Sequence, residues 1–220
     1  MPIDWTNVNR VLVVKLRSIG DTVLSTPSLI ALRRFLPDAQ IDILLEDWVA
    51  PLLGGHDAVD DVISVGKATA ERWKTAWRLR RQRYDVTFNL HGGTTATFFT
   101  RASGARHRVG YSHYQYSFLY NHLLSSASDF WQQEKMHSAE QQLALLGFVG
   151  VPVKDRPKTR LVVTDAASES VDRRLSSLAI SQSSLALLHP STAFFTKQWP
   201  VENFALTAEF LAEHGLHTVA

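Results

Sequence analysis

The 220-residue chain contains no cysteine. It can therefore form no disulfide bridge, no thiolate metal site and no cysteine nucleophile. It also has no apolar run near the roughly 20 residues that span a bilayer, and its first residues, MPIDWTNVNR, lack the basic and apolar regions of a signal peptide. We therefore expect a soluble, cytoplasmic protein.

A large excess of charge of one sign is lacking as well. The 23 Lys and Arg residues nearly balance the 21 Asp and Glu residues, and the net charge of +2 does not by itself indicate a nucleic-acid partner. Hydrophobic residues make up 45% of the chain, which is enough for a sizeable core. The length is long for one domain and short for two.

Buried strands alternate with amphipathic helices along the chain. The apolar run 11–16 is followed by a helix over 23–35 and a second apolar run over 41–45. This alternation predicts an α/β fold with a doubly wound parallel sheet. The other predicted strands are 62–65, 86–90, 108–111, 160–163, 185–189 and 217–220, and the other predicted helices are 48–53, 69–82, 95–103, 134–148, 167–178 and 201–214.

Two segments interrupt the alternation. Residues 112–130 form an aromatic-rich loop, and loops of this length in compact domains are either functional or disordered. The aromatic content argues against disorder. Residues 151–158 hold two prolines and mixed charge, as a hinge does. We predict a Rossmann-like domain over 1–155 and the incomplete start of a second over 156–220. Because the chain stops as a strand begins, we expect it to be a fragment. The alternative is a small appended subdomain that packs on the first domain.

The first strand runs into a Gly-Asp turn and then into a helix. Ligands of α/β sheets bind at the carboxyl ends of strands, so the turn brings Arg17, Ser18, Gly20 and Asp21 beside a crevice. Asp21 is either the N-cap of the helix or a general base. The glycine pattern of dinucleotide sites and the P-loop lysine are both absent, which argues against those two sites.

A second strand, loop and helix follow over 189–200. The hydroxyls of Ser191, Thr192 and Thr196 and the cation of Lys197 precede a helix with Pro200 in its first turn. Such a helix start can bind a pyrophosphate. The alternative is a capped loop with a solvated lysine.

The fourth strand ends at His91, Gly92 and Gly93. The glycines either let a ligand approach the backbone or make a tight turn, and His91 has no second ligand at metal-binding spacing. Basic residues follow that could clamp carboxylates or phosphates or could be dispersed surface charge. They are Arg101, Arg106, His107, Arg108, His113, Lys135 and His137.

The predicted helix over 69–82 is cationic and carries Trp73 and Trp77 on one side. Such a helix can rest on an anionic membrane surface. More often its tryptophans pack inward and its arginines are solvated. Both interpretations stay open.

Five motifs occur in order along the chain: KLRSIGDTVLSTP, LLEDWVAPLL, NLHGG, ARHRVGY and HPST followed by KQWP. With these motifs the chain resembles the ADP-heptose:lipopolysaccharide heptosyltransferases of glycosyltransferase family 9. The resemblance covers nearly all of the sequence. It implies a GT-B architecture, in which the first Rossmann-like domain binds the acceptor and the second binds the nucleotide sugar.

The resemblance also implies an activity. Heptose would pass with inversion from ADP-heptose to the lipopolysaccharide inner core, an acceptor of the Kdo-lipid A type, with Asp21 as base and with neither metal nor cofactor. A peripheral contact with the inner membrane would follow from this acceptor. The donor phosphates would meet Ser191, Thr192, Thr196 and Lys197. The acceptor would meet Arg17, Ser18, Gly20, His91, Gly92, Gly93, Arg101, Arg106, Arg108 and Lys135.

Members of this family are longer than the chain, and their later segments complete the donor pocket. We therefore expect this chain alone to transfer heptose poorly or not at all. The alternative function is a non-catalytic domain that binds an acidic glycolipid, which predicts acceptor binding without nucleotide binding. A nucleotide-dependent oxidoreductase is a more distant third, since the glycine pattern is missing.

Overall fold

The structure is a computed structural model that describes residues 2–180, 184–192 and 194–220. It divides into two compact units, Met1–Val162 and Val163–Ala220. The domain boundary predicted between residues 155 and 156 stands a few residues before this division.

The first unit is built on a six-stranded sheet. Its strands are β1 (Arg10–Val14), β2 (Gln40–Glu46), β3 (Asp61–Val65), β4 (Val86–Asn89), β5 (His107–Tyr111) and β6 (His122–Leu124). All neighbours pair in parallel, in the order β3-β2-β1-β4-β5-β6. This is the Rossmann strand order. The chain adds strands to one side of β1 first and then, from β4 onward, to the other side, which leaves a crevice at the carboxyl ends of β1 and β4. The predicted fold class is confirmed.

Helices cover both faces of this sheet. They are α1 (Ile19–Val23), α2 (Thr26–Phe35), α3 (Thr69–Gln82), α4 (Gly93–Ala102), α5 (Ala127–Trp131) and α6 (Ser138–Phe148). Successive side chains of a strand point to opposite faces. Val13 of β1 accordingly packs in one core cluster with Leu32 of α2, and Leu12 packs in the other with Leu79 of α3.

The helix predicted over 23–35 is two helices. α1 begins after its N-cap Ser18 and α2 begins at Thr26, with Pro27 in its first turn. Gly20 and Asp21 therefore lie inside the first turn of α1, and of the two interpretations of Asp21 the N-cap one does not hold, since Ser18 is the N-cap. A carboxylate in this turn interacts favourably with the helix dipole.

Several element predictions differ from the structure. The predicted loop over 112–130 contains a 3-10 turn (Ser117–Leu119), β6 and α5, and β6 was missed because three residues are too few to display a strand pattern. No strand forms over 160–163. The helix predicted from residue 134 begins at Ser138, where His137 and Glu140 form a capping box. The helix predicted over 48–53 is a 3-10 turn over Ala50–Leu53.

The second unit is a small βαβ arrangement preceded by a helix. It consists of α7 (Asp165–Ser177), β7 (Leu185–Leu187), α8 (Val201–Glu213) and β8 (His217–Val219). β7 and β8 pair in parallel, with α8 as the crossover. These elements were predicted from the sequence to within a few residues.

Candidate functional site

A polar cavity of about 360 Å³ opens at the carboxyl ends of β1, β4 and β5. It therefore lies at the point where doubly wound sheets bind their ligands. Its lining combines charged groups, hydroxyls and aromatic rings, including Lys15, Asp21, His91, Tyr114, Ser138 and Gln142.

Asp21 and Lys15 form a charge pair at the wall of this cavity. Oδ2 of Asp21 lies 3.9 Å from Nζ of Lys15, and the two side chains are 49% and 7% exposed. The Lys15 ammonium also donates a hydrogen bond of 3.2 Å to the carbonyl oxygen of Leu90. Burial lowers the pKa of Lys15, and the Asp21 carboxylate opposes this shift. A buried cation needs oxygen atoms nearby that compensate its charge. Lys15 therefore holds the Asp21 carboxylate close to the carboxyl end of the sheet.

Lys15 was not selected from the sequence, although a signal was there. It directly follows β1, inside the apolar run 11–16. A strand that is buried on both faces rarely accommodates a lysine without a partner. An isolated cation in such a run therefore indicates a carboxylate nearby, which here is Asp21.

His91 lines the same cavity at the end of β4. The side-chain oxygen of Asn89 accepts hydrogen bonds from the backbone N–H groups of His91 (2.9 Å) and Gly92 (2.8 Å), which fixes the turn. Burial lowers the pKa of His91, the cations of Lys15 and Arg17 lower it further, and Asp21 opposes them. The imidazole is therefore neutral near pH 7, when it can either donate or accept a hydrogen bond.

Gly92 is required by the packing of this turn. Its φ is +72°, and a Cβ there would lie 3.0 Å from the ring of Tyr114. Gly93 has a similar φ of +73° and begins α4, but a Cβ there would meet nothing within 4 Å. For Gly92 the structure favours the tight-turn interpretation, because an aromatic ring already occupies the space beside it.

Gln142 of α6 lines the cavity and holds a buried hydrogen-bond acceptor without a partner in the described part of the chain. The residue is 7% exposed, and its Oε1 is buried with no hydrogen-bond partner among the described residues. A buried acceptor without a partner costs about 1–3 kcal/mol, so a ligand hydroxyl at this atom would be favourable. Ser126, Ser128 and Ser138 line the same cavity and bring three hydroxyls to it. The only signal in the sequence was a polar residue within a largely apolar helical stretch.

Four more predicted acceptor residues lie beside this cavity, in addition to His91 and Gly92. Arg17, Ser18 and Gly20 follow β1 and are exposed at the carboxyl edge of the sheet. Lys135 is exposed and precedes Met136, which lines the cavity.

Three predicted acceptor residues, Arg101, Arg106 and Arg108, are not brought to the cavity. Arg101 lines a groove together with residues of α3. Arg106 and Arg108 lie at the amino end of β5, which is the opposite edge of the parallel sheet. The Arg108 guanidinium donates to the carbonyl oxygens of Leu119 and Ala105, so its role in the structure is to support this loop.

The predicted phosphate-binding residues lie in the second unit, between β7 and α8. Thr196 and Lys197 belong to a 3-10 turn over Phe195–Lys197, and α8 starts after its N-cap Pro200. Within this loop Oγ1 of Thr192 accepts a hydrogen bond of 3.3 Å from the N–H of Phe194. Ser191, Thr196 and Lys197 are exposed. Ala193, inside the same segment, lies outside the described residues.

The described residues contain neither a metal-binding cluster nor a membrane-spanning helix. No group of three or more His, Asp and Glu side chains in this part of the chain could hold a metal ion. Across the same residues no helix is both long enough and apolar enough to cross a membrane.

Comparison with known proteins gives a consistent result. Residues 72–220 match glycosyltransferase family 9 (heptosyltransferase). The chain is 26% identical to lipopolysaccharide heptosyltransferase 1 of Escherichia coli strain K12, over 94% of this chain and 66% of that protein. It is 23% identical to lipopolysaccharide heptosyltransferase 3 of the same strain, over 93% of this chain and 60% of that protein. The chain thus spans less than two thirds of the length of these relatives.

Solved structures show the same fold. A family 9 glycosyl transferase from Veillonella parvula DSM 2008 superposes with a TM-score of 0.84 at 20% identity, covering 99% of this chain and 62% of that one. The E. coli heptosyltransferase WaaC with ADP superposes with a TM-score of 0.68 at 22% identity, covering 95% and 66%.

Proposed function

Because the chain belongs to glycosyltransferase family 9, the heptosyltransferase family, we propose that it transfers heptose from ADP-heptose to the inner core of lipopolysaccharide. The observation that carries this proposal is the half-exposed Asp21 carboxylate in a polar cavity, beside the buried cation of Lys15. This is a suitable position for a general base, since the half-exposed carboxylate faces a cavity in which a substrate hydroxyl can reach it.

Asp21 is the base in the proposed reaction. Its carboxylate takes the proton from an acceptor hydroxyl while that oxygen forms a bond to the anomeric carbon of the heptose. The bond from this carbon to the ADP oxygen breaks on the opposite face, and ADP leaves with the electron pair. The configuration at the anomeric carbon is therefore inverted. Lys15 touches neither substrate in this scheme and acts by holding Asp21.

The proposed donor site is the loop between β7 and α8. Its hydroxyls and the exposed Lys197 ammonium stand before the N-terminus of a helix, which favours the negative charge that develops on ADP as it leaves. In this proposal fixed donors and the lysine meet that charge, and no divalent metal takes part. Ser191, Thr192 and Thr196 supply the hydroxyls.

The proposed acceptor site is the cavity beside Asp21. Its serine hydroxyls, the free oxygen of Gln142 and the neutral His91 suit a substrate rich in hydroxyls. The exposed Arg17 at the same edge suits an acidic group on that substrate. Ser18, Gly20, Gly92, Gly93 and Lys135 stay in the acceptor proposal as neighbours of this edge. A lipid-linked acceptor would place the protein at the cytoplasmic face of the inner membrane.

The test uses a protein that extends to the full length of the relatives and compares its wild-type sequence with Asp21→Asn on ADP-heptose and a Kdo-lipid A acceptor, with ADP release and product mass as readouts. We expect Asp21→Asn to lower turnover by about 10²- to 10⁴-fold, the usual contribution of a general base. Acceptor binding, measured by calorimetry, should change little. Asp38→Asn removes an exposed carboxylate after α2 and serves as the matched control.

Normal turnover by Asp21→Asn would rule out the assigned role. If the wild-type protein binds the acceptor but neither binds ADP nor releases it from ADP-heptose, the result supports the non-catalytic glycolipid-binding domain instead.

A further inference from the structure

The outward side of α3 carries two exposed tryptophans. Trp73 is 64% and Trp77 is 63% exposed, whereas Ala76 and Leu79 make the buried side of the helix. The sequence left open whether the tryptophans pack inward, and they do not. Large aromatic side chains exposed to this degree, and close together, are typical of an interaction surface.

The charge around these tryptophans is mainly positive, although Asp47 and Glu71 line a neighbouring pocket together with Lys74 and Trp77. Lys74 and Arg81 are exposed on the same side, and the Arg81 guanidinium lies 4.4 Å from the centre of the Trp77 ring. Glu71 is the only acidic residue of α3, and its carboxylate lies over Gly66, beyond the N-terminal end of the helix. The basic residues of the helix are Arg72, Lys74, Arg78, Arg80 and Arg81.

A largely apolar groove of about 480 Å³ adjoins the tryptophans. Trp73 forms one wall and contacts Phe98 of α4 edge to face, with 5.3 Å between ring centres. Tyr116 forms another wall and packs against Phe118, which is 78% exposed. Arg80 and Arg101 also line the groove, so cationic groups stand beside an apolar channel.

We propose that this surface, formed by Trp73, Lys74, Trp77, Arg81 and the adjoining groove and here called the α3 surface, docks on an anionic phospholipid bilayer. Tryptophan favours the interface between headgroups and acyl chains, and lysine and arginine attract acidic headgroups. The apolar groove offers space for a lipid acyl chain, and the exposed Phe118 beside it can insert among the acyl chains at the bilayer surface. Charge complementarity therefore identifies an anionic bilayer as the occupant.

The α3 surface lies next to the cavity of the proposed acceptor site. Tyr114 lines that cavity and Tyr116 lines the groove, on one loop and two residues apart. A protein docked through the α3 surface would therefore hold the cavity near the membrane. This consequence rests on the proposed function, whereas the docking itself does not.

The test is flotation of the full chain with phosphatidylcholine vesicles that contain or lack phosphatidylglycerol. Two double variants remove different parts of the surface. Lys74→Gln/Arg81→Gln removes its positive charge, and Trp73→Ser/Trp77→Ser removes its aromatic rings. At about 1 kcal/mol for each basic residue, the charge variant should bind phosphatidylglycerol vesicles about thirtyfold more weakly. The tryptophan variant should lose binding at least to a similar extent. Arg173→Gln/Arg174→Gln in α7 removes the same charge elsewhere and should bind as the wild type does.

Equal vesicle binding by the wild type and the tryptophan variant would overturn the proposal, as would wild-type binding that ignores phosphatidylglycerol. Circular dichroism confirms that the variants are folded, which their exposed positions lead us to expect. Turnover on a detergent-solubilised acceptor separates the two proposals. Variants that lose vesicle binding but keep this turnover support docking. Variants that keep vesicle binding but lose this turnover would assign the α3 surface to acceptor recognition instead.

Discussion

At the scale of single residues, the pair Lys15 and Asp21 is the most specific feature of the site. Lys15→Met removes the ammonium 3.9 Å from the Asp21 carboxylate. A charge pair with one exposed partner contributes up to about 1 kcal/mol, so we expect kcat to fall about fivefold with little change in KM for the acceptor. Lys15→Arg keeps the charge and should restore part of kcat.

The same variants distinguish positioning from a purely structural role. Lys15→Met removes the cost of burying an ammonium group, and the half-exposed Asp21 carboxylate that loses its partner stays solvated. We therefore expect the thermal midpoint of Lys15→Met to stay the same or rise while kcat falls. An unchanged kcat, or a loss of kcat that follows a loss of folded protein, would contradict the positioning role.

Three positions near the cavity hold glycine for different structural reasons. Alanine substitutions at these positions distinguish the reasons by their effects on stability. Gly92 and Gly93 both have positive φ, but only at Gly92 would a Cβ also contact Tyr114. We expect Gly93→Ala to cost about 1 kcal/mol of unfolding free energy from backbone strain alone. Gly92→Ala should cost about 2–3 kcal/mol from strain and overpacking together.

Gly20→Ala is the matched control. Gly20 lies within α1, and a Cβ there would meet nothing within 4 Å. A helical glycine replaced by alanine gains about 0.5–1 kcal/mol, so this variant should be neutral or more stable in urea unfolding. If all three substitutions cost the same, the contact between Gly92 and Tyr114 is not the reason for the glycine.

At the scale of secondary-structure elements, a histidine pair joins the last two strands of the first sheet. Nδ1 of His107 in β5 lies 2.9 Å from Nε2 of His122 in β6. Burial lowers the pKa of both rings. Nearby positive charges, among them Arg106 and Arg108 for His107, and His107 and Arg108 for His122, lower it further. The native protein therefore binds protons at this pair less readily than the unfolded chain does.

This difference predicts a stability that depends on pH. Because the unfolded chain binds more protons, stability rises with pH. The contribution of the pair is complete above about pH 6.5, the ordinary pKa of histidine, and is lost as the pH falls below it. We expect the urea concentration at the unfolding midpoint to decrease as the pH is lowered from about 7.5 to about 5.5. The decrease should be smaller in His107→Asn/His122→Asn. His113→Asn, an exposed ring in the next loop, should keep the wild-type slope.

Most elements could be predicted from the sequence because their patterns are long. α3 occupies residues Thr69–Gln82, as predicted, since fourteen residues display a clear helical period. β6 and the break between α1 and α2 could not be predicted, because three-residue strands and five-residue helices carry too little pattern and depend on tertiary contacts. The same limit applies to the site. Asp21 follows from its place after a strand, whereas the lone acceptor of Gln142 is visible only in three dimensions.

At the scale of the whole molecule, the two units differ in how much apolar surface they bury. The buried hydrophobic residues among those described lie in Met1–Val162, with the exception of Leu175. α8 exposes large apolar side chains instead, including Leu206 (62%) and Phe210 (58%). Because burial supplies most of the stability of a fold, the second unit should open at a lower free energy than the first.

Hydrogen exchange on the full chain tests this difference. We expect the amides of β1, β2 and β4 to exchange at the rate of global unfolding, since these strands are buried on both faces. Amides of α8 and β7 should exchange at least about a hundredfold faster, which corresponds to about 3 kcal/mol less protection. Equal protection of α8 and α3 would show that the second unit is as stable as the first.

ADP should slow hydrogen exchange only around the loop between β7 and α8. A ligand that binds the native state protects the unit that holds it, and the gain grows with the ratio of ligand concentration to Kd. If the loop before α8 binds the diphosphate through Lys197 and its hydroxyls, ADP should slow exchange in β7, in that loop and in the first turn of α8. Lys197→Met should remove the effect, whereas Arg173→Gln in α7 should keep it. Protection confined to α1 and the cavity beside Asp21 would place the nucleotide in the first unit and contradict the proposed donor site.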